Sequence, residues 1–402
     1  MQRYTIYRIP FFHVFLTIKN GITCLQADGL MSPILWLFMR TPLKKHLEMF
    51  HGQVPAMQSE NTLFFSTWLP PIPGRVFNRL LLSYTKAFFG CATPDQVTIS
   101  ITEECPNRCI HCALPDTLNK AMLKPDKIED IIHQVLDMGT TSIIFDGGEP
   151  LVYDGLEKLI SYVDYKRAIS TIFTSGFGMT PEKARSLKAA GLYSINVSLD
   201  SPFEDEHDRI RGRAGVFKEA LNAINCAKGA GLLVDIYVVI APHNIDHLDD
   251  FYSLALNCGV HELSMYEIVP TGRWLDHDKD VLSADDKVKL NEFKERYEQY
   301  GNDVKDNTID SDTKRVRFFS IPHTMEITGC FAGRKWIHVT PQGDVLPCAC
   351  IPLPYGNVNT EPIQSIWKRM RKDGAYNAKE CLMRNSQFRR DYLSDVLNDP
   401  KN

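Results

Sequence analysis

Cys105, Cys109 and Cys112 stand in the run Cys105-Pro-Asn-Arg-Cys109-Ile-His-Cys112 of a 402-residue chain. A C-x3-C-x2-C loop carries three soft thiolate donors, enough to close around three corners of a cubane iron–sulfur cluster. Cys-ligated 4Fe-4S clusters usually take four cysteines, so a three-cysteine site is either incomplete or built for a fourth ligand that is not protein. The competing chemistry is a zinc knuckle with His111 or a distant residue as fourth ligand, although zinc sites usually add a second Cys or His pair. A further set, Cys330, Cys348, Cys350 and Cys381, follows in the last quarter of the chain. Cys348 and Cys350 are two apart, so in an extended segment both face one side. The remaining four cysteines, Cys24, Cys91, Cys226 and Cys258, are scattered through apolar contexts. That argues against a disulfide framework and for a reducing, cytoplasmic setting.

The elements that must position the first loop alternate in period. Strand-like runs at 97–102, 142–146, 168–174, 194–199, 234–240 and 263–269 are separated by helical periodicity at 127–138, 155–163, 181–190, 216–228, 246–257 and 284–300. Thr180-Pro181 is a helix start with Pro at the first position. Repeated βα units imply a parallel sheet, here a partial (β/α)6 TIM-like barrel. Active sites in such barrels sit at the C-terminal ends of the strands, and each distinctive motif falls there. After the cysteine loop come Asp146-Gly147-Gly148-Glu149-Pro150, then Thr174-Ser175-Gly176, then Val197-Ser198-Leu199-Asp200-Ser201 followed by His207-Asp208-Arg209-Ile210-Arg211. Ile240-Ala241-Pro242 and Val269-Pro270-Thr271-Gly272-Arg273 close the series. Glycines let backbone approach a ligand closely, a carboxylate or carbonyl can accept from an ammonium, and Ser175 carries a small hydroxyl suited to a ribose or carboxylate.

The cysteine spacing, the aromatic-type His111 before the last cysteine and six motifs in order resemble the radical S-adenosylmethionine (radical SAM) superfamily. The resemblance implies a 4Fe-4S cluster on Cys105, Cys109 and Cys112, with S-adenosylmethionine chelating the open iron and cleaved by one electron to a 5′-deoxyadenosyl radical. It further implies that Gly147, Gly148, Glu149 and Pro150 meet the amino group, and that Ser198 and Arg211 meet the methionine carboxylate, with Asp200 in the same motif. Ala241 is implied as a backbone contact to adenine. The segment Cys330-Phe-Ala-Gly333, the hairpin Trp336 to Cys348 turning at Gln342-Gly343, Gly356-Asn357 and Ile366-Trp367 resemble the SPASM auxiliary-cluster module and its shortened twitch form. Cys330, Cys348, Cys350 and Cys381 are then the candidate ligands of a second iron–sulfur cluster. Arg384 stands where the short form's last cysteine would fall.

Residues 1–92 read as a basic, aromatic-rich and mostly helical extension, 93–322 as the barrel, and 323–402 as a small hairpin-and-helix cluster module. The first 90 residues hold nine Lys/Arg against three Asp/Glu, in a chain of net charge −4, which gives no overall nucleic-acid footprint. Leu30–Arg40 is apolar but far too short to span a bilayer. Residues 75–89 read as an amphipathic helix with Arg75, Arg79 and Lys86 on one face; it either lies on an anionic membrane surface or packs on the neighbouring domain. The tail after Asp391 is expected to be poorly ordered. The functions weighed are a radical enzyme acting on a peptide, tetrapyrrole or small metabolite, one acting on a lipid at the membrane surface, and a non-catalytic metal or electron-transfer protein. A flavodoxin or ferredoxin is the expected reductant, and substrate hydrogen abstraction followed by electron transfer to the second cluster the expected chemistry.

Overall fold

The computed structural model describes residues 2–9, 11–19, 21–30, 47, 50–114, 120–277, 280–303, 316–320, 329–373, 376 and 378–397. Six strands of the barrel form where the alternation places them: β6 (Gln96–Thr102), β7 (Ser142–Gly147), β8 (Ile169–Thr174), β9 (Ser194–Ser198), β10 (Leu233–Ile240) and β11 (Glu262–Glu267). They run parallel in sequence order, and β12 (Arg317–Ser320) adds to β11. The helices Pro125–Met138, Leu156–Ser161, Pro181–Ala189, Val216–Gly229, Leu248–Cys258 and Ala284–Asp303 occupy the connections. Thr180 caps the third by accepting from the Lys183 N–H. An eight-residue helix, Glu204–Arg211, adds to the expected elements; its charged sequence lacks an apolar stripe, and it buries His207, Ile210 and Arg211.

Residue alternation along the strands divides the sheet into two unlike faces. Val97, Ile99 and Ile101 of β6 point outward into the core beneath the helices. Gln96, Thr98, Asp146, Tyr237, Tyr266 and His338 line the space inside. TIM-barrel interiors are usually filled by layers of branched apolar side chains; this one is polar and aromatic, and it encloses cavities.

The N-terminal region is not mostly helical. Strands β1 (Arg3–Ile9), β2 (Phe12–Lys19) and β3 (Ile22–Asp28) form an antiparallel sheet, and β4 (Met57–Ser59) pairs with β5 (Thr62–Phe64). The reason is a period of two: Tyr4 and Ile6, then Phe12, Val14 and Leu16, are buried on one face against Leu63, Phe65, Ile72 and Phe77, and aromatic and branched residues suit such a half-buried pleat. Most of the run Leu30–Arg40 lies outside the described residues. The helix Arg75–Phe88 forms as expected, but Val76, Phe77 and Leu80 are buried and Arg79 donates to the Leu136 carbonyl. Most of its described apolar face is therefore spent on packing, while Leu82 and Phe89 stay exposed. Among the described residues no helix is long and apolar enough to cross a membrane.

The stretch after β5 closes the floor of the barrel. Ser66 and Thr67 place both hydroxyls and the Thr67 N–H on the buried Glu262 carboxylate at 2.7–2.8 Å. The Trp68 indole N–H reaches Asp235 Oδ2 at 3.2 Å and Ser264 Oγ at 3.1 Å.

At the other end of the chain, β13 (Trp336–Val339) pairs parallel with β6 and antiparallel with β14 (Val345–Leu346). The expected hairpin thus continues the barrel sheet. The helix Ile363–Met370 follows, with the Trp367 indole N–H on the Ala92 carbonyl at 3.0 Å. The tail departs from expectation: a helix, Ser386–Leu397, runs past Asp391.

Candidate active site: two cysteine-lined cavities

The cysteine loop leaves β6 and is held from two sides. Arg108 and Ile110 donate their N–H groups to the carbonyls of Arg211 and Ile210 at 3.0 Å, and the Arg273 N–H bonds the Cys112 carbonyl at 2.9 Å. Arg273 also reaches the Cys109 carbonyl through Nη1 at 3.1 Å. Gly272 has φ +50°, and a Cβ there would stand 2.2 Å from the Cys112 carbonyl oxygen, so glycine is required for this clasp. On the other flank Gly148 N–H bonds the Thr102 carbonyl at 2.6 Å and Glu149 N–H the Glu104 carbonyl at 2.8 Å. A Cβ on Gly148 would be 2.1 Å from the Glu104 oxygen. The Asp146–Pro150 turn and the cysteine loop are thus in backbone contact.

A cavity of about 330 Å³ opens between them. Cys105, Cys109 and Cys112 line it with Gly147, Gly148, Glu149, Ser175, Ser198 and Arg211, so nine of the expected residues converge. Pro150 is buried beside it, at the start of a short 3-10 turn. Asp200 is buried behind the wall, where Arg211 Nη2 meets its Oδ2 at 2.5 Å. Arg211 Nη1 then points at Cys109 Sγ, 3.6 Å away. Burial alone would push the Asp200 carboxyl up, but Arg211, with His111 and His207, holds it below its ordinary value. Ala241 does not line the cavity; its N–H bonds Asn244 Oδ1 at 2.8 Å, and its side chain belongs to a small cluster with Ile268 and Trp274.

Glu149 is hydrogen-bonded within the chain as well as bordering the cavity. Its carboxylate, 1% exposed, accepts from Thr174 Oγ1 at 2.5 Å, from Ser175 N and Oγ at 2.8 and 2.6 Å, and from Leu151 N at 3.1 Å. Its charge is absorbed in tying the end of β7 to the end of β8. Ser175 serves the same tie.

The donor set fits an iron–sulfur cluster. Burial raises the Cys112 thiol, so it ionises readily only when a metal cation takes the charge. Arg211 supplies a further cation at Cys109. His111, the candidate zinc ligand, instead sets Nε2 against Asp200 Oδ2 at 3.4 Å. Among the described residues no three Cys, His, Asp or Glu side chains gather at the spacing of a single metal ion; the thiols border a cavity rather than closing on a point.

The second set behaves alike. Cys330, Cys348, Cys350 and Cys381 all line a cavity of about 270 Å³ inside the barrel. Burial, then the neighbouring Cys330 and Cys348, push Cys381 up to about 12. Arg384 is not directed at this cavity: its guanidinium pairs with Glu267 and donates to the Leu282 carbonyl. The two cavities share Phe173, Tyr237, Tyr266, Glu267, Val269, Ala349 and Cys350 in their linings. Tyr237 and Tyr266 pack with ring centroids 4.6 Å apart, and Trp68 abuts Phe173 and Tyr266 from below. These aromatic residues, with Asp146 and His338, were not anticipated as site residues. Their only signal is that they are large or polar residues at inward positions of strands.

A partial parallel barrel with a three-cysteine loop on its first strand, and a cysteine-bearing hairpin joined to the same sheet, defines an enzyme built around iron–sulfur clusters. Residues 99–255 match the radical SAM superfamily, and residues 330–396 match SPASM, an iron–sulfur cluster-binding domain. Residues 99–255 thus carry a radical SAM superfamily domain and residues 330–396 a SPASM-type module, which imply a 4Fe-4S cluster, S-adenosylmethionine and additional iron–sulfur cluster content. It is similar to an AdoMet-dependent heme synthase of Methanosarcina barkeri, 26% identical over 288 residues that span 68% of this chain and 82% of that one. It is likewise 26% identical to a PqqA peptide cyclase of Streptomyces rochei over 300 residues, spanning 70% and 78%. The fold resembles that of Streptococcus suis SuiB bound to S-adenosylmethionine, with a TM-score of 0.57, 13% identity and coverage of 88% and 86%.

Proposed function

We propose that the chain generates a substrate radical in the first cavity and removes an electron from it through a second cluster in the adjoining one. The observation that carries this reading is the shared wall: the two cysteine sets open onto neighbouring spaces bounded by the same seven residues. When bound at Cys105, Cys109 and Cys112, the cluster and S-adenosylmethionine supply a 5′-deoxyadenosyl radical that takes a hydrogen atom from substrate. The chain's own contribution is placement. Arg211 holds positive charge against Cys109 and toward the cavity, Ser198 offers a hydroxyl, and the Gly147–Gly148 backbone forms the close surface against which a small ligand is oriented. The Glu149–Thr174–Ser175 tie keeps that surface rigid, and Phe173, Tyr237 and Tyr266 exclude water from the junction.

Cys330, Cys348, Cys350 and Cys381 are the candidate ligands of the electron-accepting cluster, which favours dehydrogenation, oxidative decarboxylation or cross-link formation. The heme synthase and peptide cyclase similarities favour a tetrapyrrole or peptide substrate, and a flavodoxin or ferredoxin is the fitting one-electron donor. In this reading residues 1–92 close the barrel floor, 93–322 generate the radical and 323–402 hold the second cluster. The test is anaerobic reconstitution of wild type and Cys105/Cys109/Cys112→Ala, with iron and sulfide counted. About four irons should remain in the triple variant, and reductive cleavage of S-adenosylmethionine should be lost. A triple variant without iron refutes the second cluster.

A further inference from the structure

We infer that His338 is the non-cysteine ligand of the second cluster, its Nδ1 completing a set with Cys330, Cys348 and Cys381. The inference rests on the proposed second cluster. It starts from a hydrogen-bond chain that crosses three strands: Ser100 Oγ donates to Asp146 Oδ1 at 2.6 Å, and His338 Nε2 lies 3.2 Å from the same Oγ. A serine hydroxyl has one proton. With that proton given to Asp146, Ser100 can only accept from the ring, so Nε2 carries the hydrogen and Nδ1 of the neutral ring is a bare lone pair. That nitrogen is buried and has no hydrogen-bond partner among the described residues, in a side chain only 4% exposed. A ring fixed at one nitrogen by a carboxylate-terminated chain, with the other free, is the arrangement that metal-bound histidines adopt.

The hairpin brings this side chain to the cavity of the thiols. His338 pairs with Leu346 across β13 and β14, and Cys348 follows two residues later, just past the end of β14. His338, Cys330, Cys348 and Cys381 line one cavity. Of the other candidates for the fourth position, the Arg384 guanidinium is held by Glu267. Cys350 borders both cavities, with its thiol in side-chain hydrogen-bond contact with Cys348, so it is the competing ligand that the test separates from His338.

The test uses the full-length Cys105/Cys109/Cys112→Ala protein, which would keep only the second cluster. After anaerobic reconstitution and dithionite reduction, pulsed electron paramagnetic resonance is recorded on protein grown with ordinary or with 15N-labelled histidine. A strong histidine-nitrogen coupling should appear and change to the 15N pattern on labelling, a readout that needs no substitution at His338. The coupling should vanish in His338→Ala and persist in Cys350→Ala. A cluster without strong histidine-nitrogen coupling, or one whose coupling survives His338→Ala, overturns the inference and leaves the second cluster standing. Absence of iron from the triple variant overturns both.

Discussion

His207 shows how single side chains around the first cavity set the conditions under which the protein is stable. Its ring is fully buried, its Nδ1 accepts from the Asp200 N–H at 3.1 Å, and it packs edge-on against Phe217. Burial, reinforced by the charge on Arg211, pushes its pKa down to about 4. An unfolded histidine titrates near 6.5. Between these values the unfolded chain binds a proton that the folded one refuses, so the stability due to a neutral His207 is complete above pH about 6.5 and is lost as pH falls toward 4. At about 1.4 kcal/mol per pKa unit the loss is on the order of 3 kcal/mol. The lowered carboxyl of Asp200 acts below about pH 4, outside this window. Urea unfolding at pH 7.5 and 5.0 should show wild type losing more stability on acidification than His207→Gln. Equal losses would mean that His207 does not carry the effect.

The segment Ser66–Trp68 assigns the N-terminal region a concrete duty, because it supplies the donors for two buried carboxylates at the barrel floor. Burial and the neighbouring Glu262 raise the Asp235 carboxyl well above its ordinary value, and Trp68 is one of the few groups that satisfy it. Trp68→Phe keeps an aromatic ring but removes the N–H, with an expected cost of about 1–3 kcal/mol for the group left unpaired. Trp68→Ala should cost about 3–5 kcal/mol because it also leaves a void. Chemical denaturation measures both; losses below about half a kcal/mol in each would show that the floor does not depend on this plug. The sequence hid this contact for a physical reason. Positions of β6 to β11 were readable from local period, and the clustered cysteines from short-range spacing. The Trp68–Asp235 and Ser66–Glu262 bonds join residues far apart in the chain, which no local pattern encodes. The N-terminal strands are not helical as expected: Tyr4, Ile6, Phe12, Val14 and Leu16 alternate, but Tyr7, Phe11 and Phe15 fill intervening positions with further aromatic residues and blur the period of two. Glu149 was found by its motif, but its engagement with Thr174 and Ser175 depends on the packing of two strand ends and was not.

Joining the hairpin to β6 brings the second cysteine set inside the barrel wall, so two cavities with the candidate cluster ligands on two sides adjoin across a shared lining. Val269 stands at the waist between them, lining both cavities two residues past the end of β11. If the proposed radical and second cluster communicate across this shared lining, added bulk there should separate the two activities. Val269→Phe adds bulk at the waist at a tolerable cost of about 1–3 kcal/mol and touches none of the candidate cluster ligands. Iron content should stay at the wild-type value, and reductive cleavage of S-adenosylmethionine without substrate should change by no more than about twofold, which is under half a kcal/mol in barrier height. In a screen of peptides and tetrapyrroles, any compound that raises 5′-deoxyadenosine release from wild type should lose that effect by about tenfold or more in the variant, equivalent to about 1.4 kcal/mol. A compound that stimulates both proteins equally would place the substrate within the first cavity alone, and the route from radical to second cluster would then not pass the Val269 waist.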